Sequence, residues 1–349
     1  QSERFRLYVQ GRGITFATPE FQPFQDEWTF MDYNSRAWPM GPRDGLSYSS
    51  GPVRSWQDYN LWWLKQQMEI FTDGLYFDCF YILPNKDRIM SDAYRLPDGR
   101  IQPGLPILDQ REMTKRTATM YLEAGRHPMI GPHMTNSTIM PMMSFAQFGL
   151  DWEWHYGRSD FQDRWSREHI RAACTGRQSG CVPIVIGIGA KGGSAEEVEW
   201  LQRTFNGVVL THELVPVWYT VNPYIKPSER RKRGTSRLMY QKIRQHLLTM
   251  GIGTPTCRTY NYWQSDYPVT ITGVETSSIV HVGEKETLLI LTEYGKGGNA
   301  QVSLDGGILS PTAAGAATDF ETGETIPFAD GRLRFPLKKH DIRIIRLNH

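Results

Sequence analysis

The chain has 349 residues, with 39 Lys and Arg against 37 Asp and Glu, which gives a formal net charge of +2. Such a balance provides no overall field that would attract nucleic acid or an anionic membrane, and no segment approaches the roughly 18 continuous apolar residues of a membrane span. We therefore expect neither partner, and the length suffices for one large domain and a smaller one.

The first third of the chain combines short regular elements with long irregular ones. A strand is predicted over residues 13–18, followed by Pro-rich residues, and a helix is predicted over 56–71. Another long loop covers residues 81–108. Loops of this length without regular structure usually have a functional role in compact domains.

The segment 74–80, with the sequence GLYFDCF, is the most informative stretch of the chain. It predicts a short buried strand that delivers the carboxylate of Asp78 to the rim of a sheet. An isolated carboxylate among apolar residues is costly to bury unless it is paired, hydrogen-bonded or used. Asp78 is therefore the first candidate for a catalytic residue.

Short apolar strands and helices alternate from residue 109 to residue 249. This alternation predicts a parallel sheet with crossover helices, and strands that end in polar residues are typical of the active-site face of a β/α barrel. The predicted elements are helices over 109–124, 138–146, 161–176, from Ser194 onward and 235–249, and strands over 127–133, 148–154, 182–188 and 207–213.

The sequence changes character from about residue 268. Short strands separated by Gly-rich turns predict a small antiparallel β domain, of the β-sandwich type. The sequence thus predicts a TIM-type (β/α)8 barrel over residues 1–267, followed by a β domain over 268–349. The predicted strands of this last part are 269–272, 278–282, 287–292, 301–304 and 342–346.

Counting barrel strands backwards suggests that the barrel is incomplete. If 207–213 is the eighth strand, Asp78 ends the fourth and 13–18 is the third. The first two strands would then lie upstream of residue 1, so we expect an upstream segment or a second chain to complete the barrel. An incomplete or differently ordered barrel is the alternative.

Two acidic residues at the ends of predicted strands indicate which reaction the protein could catalyse. Glu153 follows Asp151 with the same parity on the predicted sixth strand, and Asp78 ends the fourth. Two carboxyl groups that face each other across a sugar are what glycosidic bond cleavage needs. Tryptophans on either side of Glu153 would raise its pKa by desolvation, which suits a general acid. Asp151 is expected to be a buried partner of an Arg, and Asp160 is an alternative acid.

The chain is rich in aromatic residues, with 11 Trp, 16 Tyr and 15 Phe. Many of them stand beside hydrogen-bonding residues, and flat apolar faces next to polar groups suit sugar rings. The predicted substrate-binding residues are Tyr76, His133, Trp152, Trp154, His212 and Glu213.

The segment GLYFDCFY resembles the fourth-strand nucleophile segment of the clan of α-galactosidases and related retaining α-glycosidases. Residues 157–165 and 179–187 are similar to the sixth- and seventh-strand segments of that clan. A longer resemblance, over roughly residues 55–220, is to the glycoside hydrolase family 123-like proteins of bacteria. It includes Arg111 and Arg116 in a helix, the pair 133–134 (His-Met), a strand bearing Glu, and the segment 180–183.

The second resemblance implies a barrel glycosidase, with two departures. One is Trp152, which stands before Glu153 where the family has a small residue and would reshape the pocket. Family 123 enzymes resemble acetamido-sugar hydrolases that use an adjacent Asp-Glu pair, with the acetamido group of the substrate as nucleophile. Here Asp78 is followed by Cys79, which argues against that mechanism and against an N-acetylhexosamine substrate. We expect a retaining glycoside hydrolase of oligo- or polysaccharides, with Asp78 as nucleophile and Glu153 as acid/base, in an extracellular or periplasmic location.

Two other functions remain open from the sequence. One is a catalytically inactive barrel that binds carbohydrate. The other is a metal-dependent hydrolase or lyase built on Asp78, His133, Glu153 and His212, although the chain has no HxH or HExxH spacing. The four cysteines also lack CxxC spacing, so we expect neither a resident metal nor a cofactor.

Overall fold

A computed structural model provides the coordinates of this protein. The chain divides into two compact units, one comprising Gln1–Trp152 with Arg177–Ile184 and the other Glu153–Gly176 with Val185–His349. The structure describes residues 6–15, 18–29, 38–39, 46–49, 51–70, 73–80, 82–133, 139–152, 159–174, 180–187, 194–217, 235–306, 317–329 and 332–348.

The first unit is built on parallel strands that follow one another in chain order. Arg6–Gln10 pairs with Gly74–Asp78, which pairs with Ile130–Pro132. A parallel bridge between His133 and Leu150 places the next strand beside the last of these. The other elements of this unit are helices Phe21–Trp28, Arg54–Met68, Ile107–Glu123 and Met140–Met143, and strands Gly13–Thr15, Trp38–Pro39, Leu46–Ser49, Tyr94–Arg95, Ile101–Gln102 and Phe148–Asp151.

Alternation along the Asp78 strand explains its position. Leu75 and Phe77 point into a core that also contains Ile130, while Tyr76 and Asp78 share the opposite face because side chains alternate along a strand. The sheet is closely packed at Gly131, where an added Cβ would lie 1.9 Å from the ring of Phe148. Glycine is therefore required at that position.

The prediction of a barrel strand over residues 13–18 is wrong. Gly13–Thr15 pairs antiparallel with Leu46–Ser49 in a separate small sheet, and the neighbour of the Asp78 strand is Arg6–Gln10. Pairing in the parallel sheet extends to the N–H of Gly11, which donates to the carbonyl oxygen of Asp78.

The prediction of a strand over residues 207–213 is also wrong. Helix Ala195–Thr211 continues through it. Ser194 and Glu197 form a capping box at the start of this helix, and Leu201, Phe205 and Val208 are buried at helical spacing. The apolar run at 208–210 therefore packs as a helix, because short apolar runs fit either structure and tertiary packing decides between them.

The second unit contains the remaining helices and most of the antiparallel strands. Strand Val182–Ile186 crosses the boundary between the units. In the first unit Val182 donates its N–H to Gln147, and in the second unit Gly187 donates its N–H to Val217. The other elements up to residue 249 are helices Phe161–Arg164, Arg167–Cys174 and Thr235–Thr249, and strand Val215–Val217.

Two antiparallel sheets follow, as the sequence predicts, and their buried side chains share one hydrophobic core. The first sheet includes Arg258–Asn261, which pairs with Thr276–Val282 and so precedes the predicted boundary at 268. The strands of the five-stranded sheet are, in spatial order, Arg258–Asn261, Thr276–Val282, Glu286–Glu293, Ile342–Asn348 and Ala317–Asp319. Those of the four-stranded sheet are Val269–Thr272, Gly298–Leu304, Arg332–Leu337 and Phe328–Ala329.

The chain is thus an α/β protein with an antiparallel β part. The strands in the described part of the chain form no closed barrel. No helix among the described residues combines the length and apolar character needed to cross a bilayer.

Candidate active site around Asp78

Asp78 ends its strand with both carboxylate oxygens hydrogen-bonded. Nδ1 of His133 lies 2.8 Å from Oδ1, and the hydroxyl of Tyr8 donates to Oδ2. His133 is buried, with 3% of its side chain exposed, whereas Tyr8 is 62% exposed and Asp78 is 18% exposed. The buried His133 therefore fixes one oxygen of the carboxylate, while the carboxylate remains partly exposed to solvent.

The pKa of the Asp78 carboxyl lies below its usual range. Partial burial by itself would raise this pKa, but the hydrogen bonds from His133 and Tyr8 favour the ionised form and outweigh it. The N–H of Cys79 contributes in the same direction. Asp78 is therefore an anion at neutral pH, which is the state that a nucleophile requires.

The ionised carboxylate determines the tautomer of His133. A carboxylate can only accept, so Nδ1 must carry the hydrogen that it donates to Asp78. The hydroxyl of Tyr76 also lies 2.8 Å from this nitrogen, and its oxygen therefore acts as a second acceptor. Since Tyr8 pairs with Tyr76 in the strand register, these residues form one cluster on one face of the sheet.

Tyr8 and Arg12 are site residues that we did not predict from the sequence. Arg12 is buried and donates through Nε to the carbonyl oxygen of Cys79 at 2.6 Å. This bond holds the backbone just after Asp78, where Cys79 has a positive φ of 53°. Non-glycine residues seldom adopt this conformation, and such strain is concentrated at functional sites. The signal in the sequence was the alternation in Leu7-Tyr8-Val9, a strand only five residues long.

A second strand of the first unit ends in the same way. Asp151 ends strand Phe148–Asp151, and the next residue, Trp152, has a φ of 71°. Asp151 is buried and accepts from the N–H of Trp152. Trp152 is 1% exposed, so its ring is packed inside the unit. Its predicted contact with a sugar stays a prediction, as does the pairing of Asp151 with an Arg.

Of the two candidate acid/base residues, Glu153 and Asp160, the structure describes only Asp160. Glu153 and Trp154 lie outside the described residues. Asp160 belongs to the second unit and is already engaged, because Oδ2 lies 2.9 Å from Nδ1 of His340 and accepts from Nε1 of Trp200 at 3.1 Å.

His212 and Glu213 do not end a strand as predicted. They precede strand Val215–Val217 and close the helix Ala195–Thr211. The N–H of Leu214 donates to the carbonyl of Val209, so Glu213, with a φ of 58°, occupies the left-handed position of a Schellman motif.

The surroundings of His212 keep it neutral. Burial lowers its pKa to about 4. Its Nδ1 lies 2.8 Å from the carbonyl of Val208, and its Nε2 lies 3.2 Å from the hydroxyl of Tyr262. A role in substrate binding for His212 and Glu213 stays a prediction.

One group in the described part of the chain has the composition of a metal site. Ligand atoms of Asp160, Asp163 and His340 lie within 4.8 Å of one another. The two ring nitrogens of His340 already lie 2.9 and 3.4 Å from the two carboxylates, and Lys339 lies 3.6 Å from Asp163. These pairings satisfy the cluster without a metal ion.

No protein-family model matches this chain, and no curated protein matches it in sequence. Similarity appears only among solved structures. A maltogenic alpha-amylase from Thermotoga neapolitana matches with a TM-score of 0.59 and 9% identity, over 99% of this chain and 78% of that enzyme. A GH27 β-L-arabinopyranosidase from Geobacillus stearothermophilus matches with a TM-score of 0.56 and 14% identity, over 99% and 74%.

A third example is an alpha-amylase from Anoxybacillus, with a TM-score of 0.55 and 12% identity over 99% of this chain and 76% of that enzyme. All three are glycoside hydrolases. At these identities the similarity establishes a shared fold and nothing finer.

Proposed function

We propose that this protein is a glycoside hydrolase that cleaves oligo- or polysaccharides with retention of configuration, using Asp78 as the nucleophile. The observation that carries the proposal is the environment of Asp78. Its carboxylate ends a parallel strand, accepts two hydrogen bonds that favour its ionised form, and remains partly accessible to solvent. The fold that the chain shares with glycoside hydrolases supports this class of reaction.

In the proposed reaction the Asp78 carboxylate attacks the anomeric carbon while an acid protonates the leaving oxygen. A covalent glycosyl ester forms at Asp78 and the glycosidic C–O bond breaks. The same acid, now deprotonated, removes a proton from water, which hydrolyses the ester and regenerates Asp78. We propose Glu153 for this acid/base role, with Asp160 as the alternative.

The neighbours of Asp78 have separate tasks in this reaction. His133 orients the carboxylate through Oδ1, and because its ring is buried it holds that oxygen in a fixed position. Tyr8 donates to Oδ2 from the exposed side. Formation of the ester removes negative charge from Asp78, so both hydrogen bonds weaken in the intermediate and become strong again when the carboxylate is released.

Tyr76 and the exposed ring of Tyr8 supply the apolar faces near this carboxylate. Their centroids lie 5.5 Å apart with the planes tilted by 42°. We propose that they contact the sugar, together with Trp154 and Glu213 as predicted from the sequence. We further propose an extracellular or periplasmic location.

The edge strand of the parallel sheet is the basis of a proposal about a partner. Among the described residues, strand Arg6–Gln10 has only Gly74–Asp78 as a neighbour in this sheet. A strand at the edge of a sheet can pair with a further strand. We propose that an upstream segment or a second chain pairs there and completes the barrel.

The test is a screen for sugars released from a panel of polysaccharides and aryl glycosides. NMR of the first-formed anomer then establishes the stereochemistry. The proposal requires release of a sugar whose anomeric configuration matches that of the substrate. An inverted product would exclude Asp78 as a nucleophile. Binding without release would instead support an inactive carbohydrate-binding protein.

A further inference from the structure

A groove of about 480 Å³ lies in the second unit. One wall is helix Thr235–Thr249 and the other is the turn after strand Ala317–Asp319. The volume is within the range of small-ligand sites, roughly 300–1,000 Å³. On the helix, the groove is lined at the spacing of a single face, by Lys242, Gln245, His246 and Thr249.

Phe320 lines the groove, and the centroid of its ring lies 4.9 Å from that of His246, with the planes tilted by 56°. The backbone N–H of Phe320 donates to the carbonyl of Ile344 at 2.9 Å. Oδ1 of Asp319 accepts the N–H groups of Glu321 and Thr322 at 2.8 Å each, which fixes the turn. These bonds fix the backbone that carries Phe320, and a preorganised turn lowers the cost of binding.

The carboxylates near the groove are engaged by neighbouring cations. Asp319 Oδ2 lies 2.7 Å from Nε of Arg343. Glu286 lies 2.9 Å from Nε2 of His246 and also pairs with Arg346. These two carboxylates are thus engaged by cations of the protein itself.

The positive charge of Lys242 in the groove indicates that a ligand bound there would be negatively charged. Nζ of Lys242 lies 5.3 Å from the centroid of the Phe320 ring, and within the described part of the chain no carboxylate is within 4.0 Å of it. The amide of Gln245 and the hydroxyl of Thr249 stand on the same wall. The Thr249 hydroxyl donates to the carbonyl of His246 at 2.6 Å, so the groove offers the Lys242 ammonium, the Gln245 amide and a hydroxyl acceptor beside an aromatic ring.

We infer that this groove binds a sugar carboxylate, that is, a hexuronate residue. The C–H face of the sugar ring packs on Phe320, and its carboxylate replaces the ring as the partner of the Lys242 ammonium. The hydroxyls of the sugar bond to Gln245 and Thr249. A charge-assisted bond is roughly twice as strong as a neutral one, so the carboxylate decides which sugar binds.

The inference concerns residues of the second unit alone and does not depend on the role of Asp78. Binding is measured by calorimetry and saturation-transfer NMR on the full chain carrying Asp78→Asn, with galacturonate and glucuronate as probes. Galactose and glucose test the need for the carboxylate, and acetate tests the need for the sugar. We expect binding of at least one uronate, with the neutral sugars and acetate weaker by about tenfold or more.

Two variants test the site itself. Lys242→Gln replaces an exposed side chain and should weaken uronate binding by about tenfold, while Lys285→Gln, an exposed lysine of the same unit, should leave it unchanged. Phe320→Ala should also weaken binding, in protein shown to be folded by its thermal unfolding. Binding that survives Lys242→Gln, equal binding of neutral sugars or acetate, or no binding of either uronate would each overturn the inference.

Discussion

Tyr8 and Asp78 are seventy positions apart in the sequence, yet the hydroxyl of Tyr8 donates directly to the carboxylate of Asp78. Parallel pairing of their two strands produces this contact, since Tyr8 lies opposite Tyr76 and shares its face with Asp78. Tyr8 thus binds Oδ2 of Asp78 from the exposed side of the site, and His133 binds Oδ1 from the buried side. The reactivity proposed for Asp78 follows from this pair of donors.

Replacing Asp78 by Asn should abolish turnover and leave the fold intact. An amide of the same shape cannot attack the anomeric carbon, and we expect a loss of at least about a thousandfold in kcat, which is about 4 kcal/mol. The measurement is the rate of sugar release on the best substrate from the screen. Asp266→Asn, at an exposed position, is the matched control, and equal activity in the two variants would remove Asp78 from the mechanism.

Tyr8→Phe should weaken activity and raise the pKa of Asp78. A hydrogen bond to a charged group contributes about 1.5–3 kcal/mol, so kcat/KM should fall by about ten- to a hundredfold. The acidic limb of the pH profile should also move to higher pH, because the ionised carboxylate loses a donor. A profile that keeps its acidic limb in place would show that Tyr8 does not act through Asp78. Tyr94→Phe, at an exposed position, is the control.

His212 should make the stability of the protein depend on pH. Its pKa is lowered to about 4 by burial, from 6.5, so the unfolded chain binds its proton more readily than the folded one. Stability from this residue is therefore complete above pH 6.5 and is lost as the pH falls towards 4, by up to ~3 kcal/mol. Thermal unfolding between pH 4 and 7 measures this, and His212→Gln should flatten the dependence. An unchanged slope in the variant would contradict it.

Glu213→Gly should stabilise the protein. Glu213 has a left-handed φ, which costs a non-glycine residue about 1–2 kcal/mol, so relief of this cost, partly offset by the lost bond from Asn261 at 3.3 Å, should raise the free energy of unfolding by less than about 1 kcal/mol. If Glu213 binds substrate, the gain in stability should come with an increase in KM. Chemical denaturation and steady-state kinetics on the same preparation separate the two effects.

The position of Asp78 could be predicted from the sequence because the information is local. The apolar run before it and the polar loop after it both lie within ten residues. The helix that begins at Ser194 was predictable for the same reason, since Ser194 and Glu197 form its cap. The antiparallel strands after residue 268 were also visible as alternating segments between glycines.

The features of the fold and of the site that could not be predicted from the sequence depend on contacts between distant parts of the chain. Val208, Val209 and Leu210 fit a strand as well as a helix, and their burial on the face of a long helix decides the outcome. Tyr8 lies in a strand of five residues whose partner is almost seventy residues away, and no local pattern identifies that partner. The roles of Glu153 and Trp154 stay predictions that only chemistry can test.

The most direct test of the central claim is to trap the glycosyl ester. The Glu153→Gln variant is incubated with an aryl glycoside of the sugar found in the screen, whose good leaving group needs no protonation. We predict that intact-protein mass spectrometry shows one added glycosyl residue and that peptide mapping places it on Asp78. A glycosyl residue on another side chain would contradict the claim that Asp78 is the nucleophile, whereas continued turnover with no adduct would move the acid/base role from Glu153 to Asp160.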